Sequence, residues 1–275
     1  MAVVAPAAAD DIPVDLELVL AVDVSGSIDP EEALVQRIGY RRALLDPEFL
    51  TAVESGPLGR IAVTYVEWAG RGNTRKVVDW TVIDGAESAA AFVAQLAGEA
   101  RPGRGGTSIS GVMYLSASMF DHNGYNGARH VVDVSGDGAN NAGGNVAVHR
   151  DLLVGRGFTI NGLAILDLDG PDGTRLPDLD VYYRECVVGG PGAFVVVADG
   201  FPAFAEAVRR KLFLEVAGVR PPGGVAHIGA PRLIRAQGRQ YGIGPKYAPE
   251  CNIGEILRWE RQQERLRELR ERRGG

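Results

Sequence analysis

Cysteine is almost missing from this chain of 275 residues. Its two copies, Cys186 and Cys251, are too few for a disulfide scaffold or for a zinc centre built on thiolates. Long apolar runs are absent as well: no stretch approaches the roughly 20 residues that a bilayer-spanning helix needs, so no transmembrane segment is expected. There is no basic excess. Lys and Arg number 29 against 35 Asp and Glu, giving a formal charge of −6, which speaks against a nucleic-acid partner and is compatible with a cation site. Histidine is scarce, and His122, His130, His149 and His227 stand at no helical metal spacing. No G-x-S-x-G elbow appears, and the glycine loop RPGRGGTS lacks the Lys-Ser/Thr pair of a phosphate loop.

What remains is ordinary for a globular protein, 45% hydrophobic and 23% charged. The opening MAVVAPAAADD ends in small residues, as a secretory cleavage region does, but lacks the basic and longer apolar parts. Periplasmic or secreted residence is the expectation, with cytoplasmic residence the alternative if this N-terminus is complete. In an exported protein Cys186 and Cys251 would form one bridge, tying a C-terminal segment onto the domain; in the cytosol they would be two idle thiols.

Strand and helix signals alternate from residue 16 to about 217, the pattern of an α/β domain. LELVLAVD is a continuous apolar strand, and Asp29-Pro30-Glu31-Glu32 then reads as a helix start, with cap, proline and first-turn acids in place. IAVTYVEWA and KVVDWTVI are strands joined by a short turn through Gly70, Gly72 and Asn73, which permits only an antiparallel pair. Trp68 and Trp80 on these strands read as core. HVVDVSGDG, FTINGLAIL and AFVVVA complete six strands with helices between them. The expected architecture is a doubly wound, mostly parallel six-stranded sheet with one antiparallel edge strand. Residues 1–14 are expected to be disordered, 15–217 to form the domain, 218–251 a Pro/Gly-rich linker and 252–275 a charged helix.

One stretch breaks the pattern. The most hydrophobic strand ends on a carboxylate, Asp23, followed at alternate positions by Ser25 and Ser27. In an open α/β sheet, ligands sit beyond the carboxyl ends of the strands, where strand order reverses. HVVDVSGDG puts Asp137 at a second such end, and GGTSIS puts Thr107 after a glycine loop at a helix start. Two carboxylates and three hydroxyls make a hard-oxygen set suited to Mg²⁺, less strictly to Mn²⁺ or Ca²⁺.

D-x-S-G-S after an apolar strand, a later G-G-T and S-G-D-G ending another strand resemble the metal-ion-dependent adhesion site of von Willebrand factor A (vWA) domains. The likeness covers roughly residues 15–217. VVDVSGDGANNAGG, TINGLAI and the stretch from YYREC to RRKL are further similar to a bacterial branch of these proteins that has no assigned function and is usually exported. The resemblance implies a Rossmann-like sheet with strand order 3-2-1-4-5-6. It also implies a cation held by Ser25, Ser27 and Thr107, with Asp23 and Asp137 direct or through water. One coordination position would stay open for an Asp or Glu of another protein. Where many relatives carry Thr-Asp-Gly, this chain has Gly136-Asp137-Gly138. Asp133, two residues before Ser135, reads as a structural hydrogen-bonding acid or as outer support of the site.

The expected function is noncatalytic, metal-dependent protein binding. Rival readings are an assembly subunit that uses its C-terminal tail and helix, and a metal-dependent hydrolase, for which no general base is evident. The acidic stretch 167–178 fails the EF-hand pattern, because Pro171 and Asp178 stand where ligands are required. Arg71, Arg101 and Arg104 are candidates for steering an acidic partner.

Overall fold

The computed structural model describes residues 11–98, 105–166, 176–228 and 250–274. In chain order the elements are β1 (Ile12–Val14), β2 (Leu16–Asp23), α1 (Pro30–Leu44), α2 (Pro47–Glu54), β3 (Ile61–Trp68), β4 (Thr74–Ile83), α3 (Ala86–Gln95), α4 (Ile109–Met119) and β5 (Tyr125–Gly127). They continue with β6 (His130–Gly136), α5 (Val146–Gly155), β7 (Thr159–Ile165), α6 (Leu179–Tyr182), β8 (Val195–Ala198), α7 (Phe204–Ala217), β9 (Val225–Ile228) and α8 (Ile253–Gly274).

Among the described residues the central sheet runs β4-β3-β2-β6-β7-β8-β9, parallel throughout except for the β3–β4 edge. The first six strands reproduce the expected order. The sheet nevertheless has seven strands rather than six. β9 is four residues long, half-exposed at an edge and flanked by Pro and Gly, so neither alternation nor an apolar run betrays it. It falls inside the stretch read from the sequence as linker, 218–251, of which 229–249 lies outside the described residues. Likewise Ile12–Val14, read as part of a disordered start, pairs in parallel with β5; residues 1–10 lie outside the description.

β2 explains why its sequence is continuously apolar. Leu16, Leu18, Leu20 and Val22 enter the core under α1, α2, α3 and α7, while Val19 and Ala21 face α4, α5 and α6. A parallel strand covered on both faces has no solvent side to alternate with. α1 begins where its capping signals say. The Asp29 carboxylate accepts from the Glu31 and Glu32 N–H groups, each at 2.8 Å, and Glu32 accepts the Asp29 N–H at 2.8 Å. Trp68 is buried, and the half-buried Trp80 donates its indole N–H to the Met119 carbonyl at 2.9 Å.

Asp133 faces α7, on the side opposite α4 and α5. Lys211 of α7, itself fully buried, forms ion pairs with Asp133 and, at 2.6 Å, with Glu215. The structural reading of Asp133 is therefore the one the geometry supports. Burial, with the charge of Glu215 adding to it, pushes the Asp133 carboxyl up to about 7 despite Lys211.

The charged C-terminal helix divides in two. Ile253 is buried and Leu257 packs on the α4/α5 core, whereas the side chains from Arg258 to Arg272 are largely exposed. A disulfide joins Cys186 to Cys251 immediately before it.

Candidate functional site

The site is assembled by sheet register. β2 and β6 are parallel neighbours with Val22 opposite Ser135, so the chain ends carrying Asp23 and Asp137 emerge side by side. The β2–α1 loop is tied to the glycine loop before α4 by the Gly26 N–H, which donates to the Gly105 carbonyl at 3.2 Å. The Ser108 N–H donates to the Ala69 carbonyl at 3.3 Å, seating the same loop on the end of β3.

All five sequence-predicted residues meet here. The Ser25 N–H donates to Asp23 Oδ1 at 2.7 Å, the local turn that the D-x-S spacing allows. The Ser25 hydroxyl lies 3.3 Å from that of Ser27 and 3.4 Å from that of Thr107. The Ser27 hydroxyl donates to Asp137 Oδ1 at 2.8 Å. Asp23, Ser25, Thr107 and Asp137 are buried and Ser27 is exposed, so the cluster opens to solvent on one side.

The electrostatics are unfavourable as they stand. Asp23 is fully enclosed, and its Oδ2 has no hydrogen-bond partner among the described residues. Burial first, and the nearby Asp137 carboxylate second, hold its carboxyl well above the ordinary range. No group of three His, Cys, Asp or Glu side chains converges among the described residues. The donor set is instead two carboxylates and three hydroxyls, all hard oxygen. An orphaned carboxylate oxygen beside a second acid fits a small divalent cation, which would offset both the repulsion and the lost solvation.

Several supporting residues went unread in the sequence. Gln36 of α1 is buried and donates to the Asp23 carbonyl at 2.9 Å. Asn141 grips Thr107 from three directions. It accepts the Thr107 N–H at 2.9 Å, donates its own N–H to the Thr107 carbonyl at 2.9 Å, and brings its amide nitrogen to 3.4 Å from the hydroxyl. The neighbouring asparagines of the DGANNAGGN loop were the available signal. Tyr183 has its hydroxyl beside Gly136, and burial together with Asp23 and Asp137 pushes it up. Nothing in the local sequence announces that contact.

α8 also reaches the site's rim. Glu255 accepts the Asn140 amide at 2.5 Å, and Arg258 donates to the Asn141 carbonyl at 3.0 Å. Gly254 packs so closely that a Cβ there would lie 2.1 Å from the Asn140 carbonyl oxygen. Of the arginines named for steering, Arg71 is exposed on the β3–β4 turn, while Arg101 and Arg104 lie outside the described residues, as does most of the acidic stretch 167–178.

A family described as a protein of unknown function, DUF1194, matches residues 13–220. A comparison with curated proteins finds no match. Among solved structures, the chain is similar to the pilus adhesin SpaC from Lactobacillus rhamnosus GG, at 17% identity and a TM-score of 0.51 over 76% of this chain and 31% of that one. It is similar to a von Willebrand factor type A protein from Catenulispora acidiphila, at 16% identity and a TM-score of 0.51 over 74% of this chain and 43% of that one. It is also similar to proximal thread matrix protein 1 from the mussel byssus with a zinc-occupied MIDAS motif, at 16% identity and a TM-score of 0.51, covering 74% of this chain and 46% of that one. The chain thus spans less than half the length of each of these structures. At such identities the likeness establishes a vWA-like fold and nothing about ligands.

Proposed function

The chain belongs to the DUF1194 family of proteins of unknown function, and from its vWA-like fold we propose that it is a noncatalytic, divalent-cation-dependent protein-binding module. The observation that carries this reading is the continuous run of oxygen contacts from Thr107 through Ser25 and Ser27 to Asp137, no step longer than 3.4 Å, with the enclosed Asp23 at its base.

Ser25, Ser27 and Thr107 would hold the ion, with Asp23 and Asp137 direct or through water. Mg²⁺ suits the donor set best, then Mn²⁺ or Ca²⁺. Bound there, the cation supplies positive charge and an open position for an acidic side chain of a partner. The chain's own residues provide the rest. The Ser25 N–H and Gln36 fix the Asp23 strand end, Asn141 fixes Thr107, and the enclosed side of the cluster keeps water away from Asp23. The partner is read as another protein offering Asp or Glu, and nucleic acid is not expected. The adhesin and the thread matrix protein among the similar structures support an interaction role. Export to the periplasm or beyond is part of the reading, supported by the Cys186–Cys251 bridge, since disulfides persist in oxidising compartments.

Isothermal titration of Mg²⁺ into chelator-stripped protein is the test. One-to-one binding is expected, abolished in both Asp23→Ala and Asp137→Ala while far-UV circular dichroism stays unchanged. Equal heats from the variants and the parent protein would remove the metal claim.

A second reading, an assembly subunit working through its C-terminal helix, is favoured by Trp259, Leu266 and Leu269, which stand exposed on α8. Deleting residues 259–275 keeps the docked first turns. Partner capture that is sensitive to EDTA should survive the deletion under the first reading and vanish under the second.

A further inference from the structure

Tyr183 begins a π-helical turn, Tyr183–Val187, just after α6. Irregular turns of this kind often occur at functional sites, because they re-aim side chains that a regular helix would point elsewhere. Its ring is fully buried on the α4/α5 side of the sheet. Two glycines on adjacent strands clear its course. A Cβ at Gly162 of β7 would lie 2.7 Å from Tyr183 Cδ1, and a Cβ at Gly136 of β6 would lie 2.8 Å from Tyr183 Oη. Any side chain at either position would displace the ring or its hydroxyl.

The same Cβ at Gly136 would lie 2.9 Å from Asp23 Oδ2. The tyrosine hydroxyl and the carboxylate oxygen therefore border the same small space. Both are buried, and neither has a hydrogen-bond partner among the described residues. Buried polar atoms are almost always satisfied in folded proteins. Here a donor and an acceptor lacking partners face one point, next to the strand end that carries Asp137. Packing alone does not account for this, because a phenylalanine would fill the ring's place without burying a hydroxyl.

We propose that Tyr183 is a positioning residue of the cation site: with the ion bound, its hydroxyl, admitted by Gly162 and Gly136, donates across the space it shares with Asp23 Oδ2 and orients that carboxylate toward the ion. The role rests on the cation-binding reading above and adds to the five oxygen-bearing residues a sixth, contributed from more than 40 positions downstream of the last of them. Outer partners of this kind fix the orientation of ligating groups, and their loss typically weakens metal binding by about 10- to 100-fold.

The test is Mg²⁺ titration of the full chain after chelation, comparing the parent protein with Tyr183→Phe. The variant should bind about tenfold or more weakly, while its thermal midpoint in EDTA is no lower than that of the parent. The tyrosine near-ultraviolet difference signal that Mg²⁺ produces in the parent should be lost. Gly136→Ala supplies the second arm. Its methyl group meets both the Tyr183 hydroxyl and Asp23 Oδ2, so it should also weaken Mg²⁺ binding, and the part owed to the hydroxyl should be restored by adding Tyr183→Phe. Parent-like affinity in either Tyr183→Phe or Gly136→Ala overturns the proposal. If the parent binds Mg²⁺ and these variants bind equally well, only Tyr183's role falls; if the parent binds no Mg²⁺, the cation reading falls with it.

Discussion

Lys211→Met should destabilise the protein by about 3–5 kcal/mol at mildly alkaline pH, the cost typical of breaking a buried ion pair by removing one partner. Lys211 is fully buried and is the cation between two buried carboxylates, Asp133 and Glu215. Methionine matches its length and apolar stem, so the packing loss is small. Charge decides the outcome. Without the ammonium, two acids share one dry space, with the Asn161 amide still donating to Glu215 at 3.2 Å. The pH dependence follows from Asp133. Its carboxyl is raised from 3.8 to about 7 in the folded state, so its contribution to stability is fully present below 3.8 and is lost as pH rises through about 7. Removing Lys211 takes away the main influence that holds this carboxyl down, so the loss with rising pH should extend to higher pH and grow larger. Urea unfolding at acid and alkaline pH measures both effects, and adding Asp133→Asn to Lys211→Met should recover most of the stability. A variant as stable as the parent at alkaline pH would mean that the triad does not hold α7 to β6.

That triad marks the boundary of what local sequence reveals. The acid in HVVDVSGDG was legible as a structural group, but its partner lies 78 positions away on α7, at a distance no spacing rule covers. Asp133 and Ser135 share one face of β6, as period-two alternation requires, and that face looks toward α1 and α7; Tyr40 of α1 donates its hydroxyl to Ser135 at 3.3 Å. Alternation ends with the strand at Gly136, and the loop beyond it carries Asp137 to the cation cluster. Period-two alternation therefore governs the strand and not the loop beyond its end. The five oxygen-bearing residues were readable for a different reason. Asp23 ends β2 and Ser25 and Ser27 follow at once in the loop after it, while Thr107 and Asp137 each follow a strong local signal, a glycine loop and an apolar strand. Gln36 and Tyr183 carry no signature of their own, and Asn141 is announced only by the paired asparagines of its loop, 34 positions from the Thr107 it grips. The edge elements β1 and β9 were missed because three or four residues at a sheet margin bury too little to impose a pattern.

Cys251→Ser should cost about 4 kcal/mol, the chain-entropy value for a bridge spanning a separation of 65 residues, and should also weaken the cation site. The second effect is the more informative. Cys251 starts the segment that docks α8: Ile253 enters the core, Gly254 lies against the Asn140 carbonyl, and Glu255 and Arg258 hold Asn140 and Asn141. Asn141 in turn positions Thr107. The covalent tether thus braces a loop that places one of the three hydroxyls, although neither cysteine approaches the cluster in sequence. Tyr182 links the two ends of the brace, because its hydroxyl accepts the Asn140 N–H at 3.1 Å and donates to the Cys251 carbonyl at 3.4 Å. Gly254→Ala separates tether from docking, since it leaves the disulfide intact but forces a methyl group into the Asn140 backbone. Both variants should therefore lower Mg²⁺ affinity several-fold in titration, whereas Cys251→Ser alone should lose the entropic share of stability in denaturant melts. If Cys251→Ser is less stable yet binds Mg²⁺ as the parent does, and Gly254→Ala binds it equally, then α8 is fastened beside the site without supporting it.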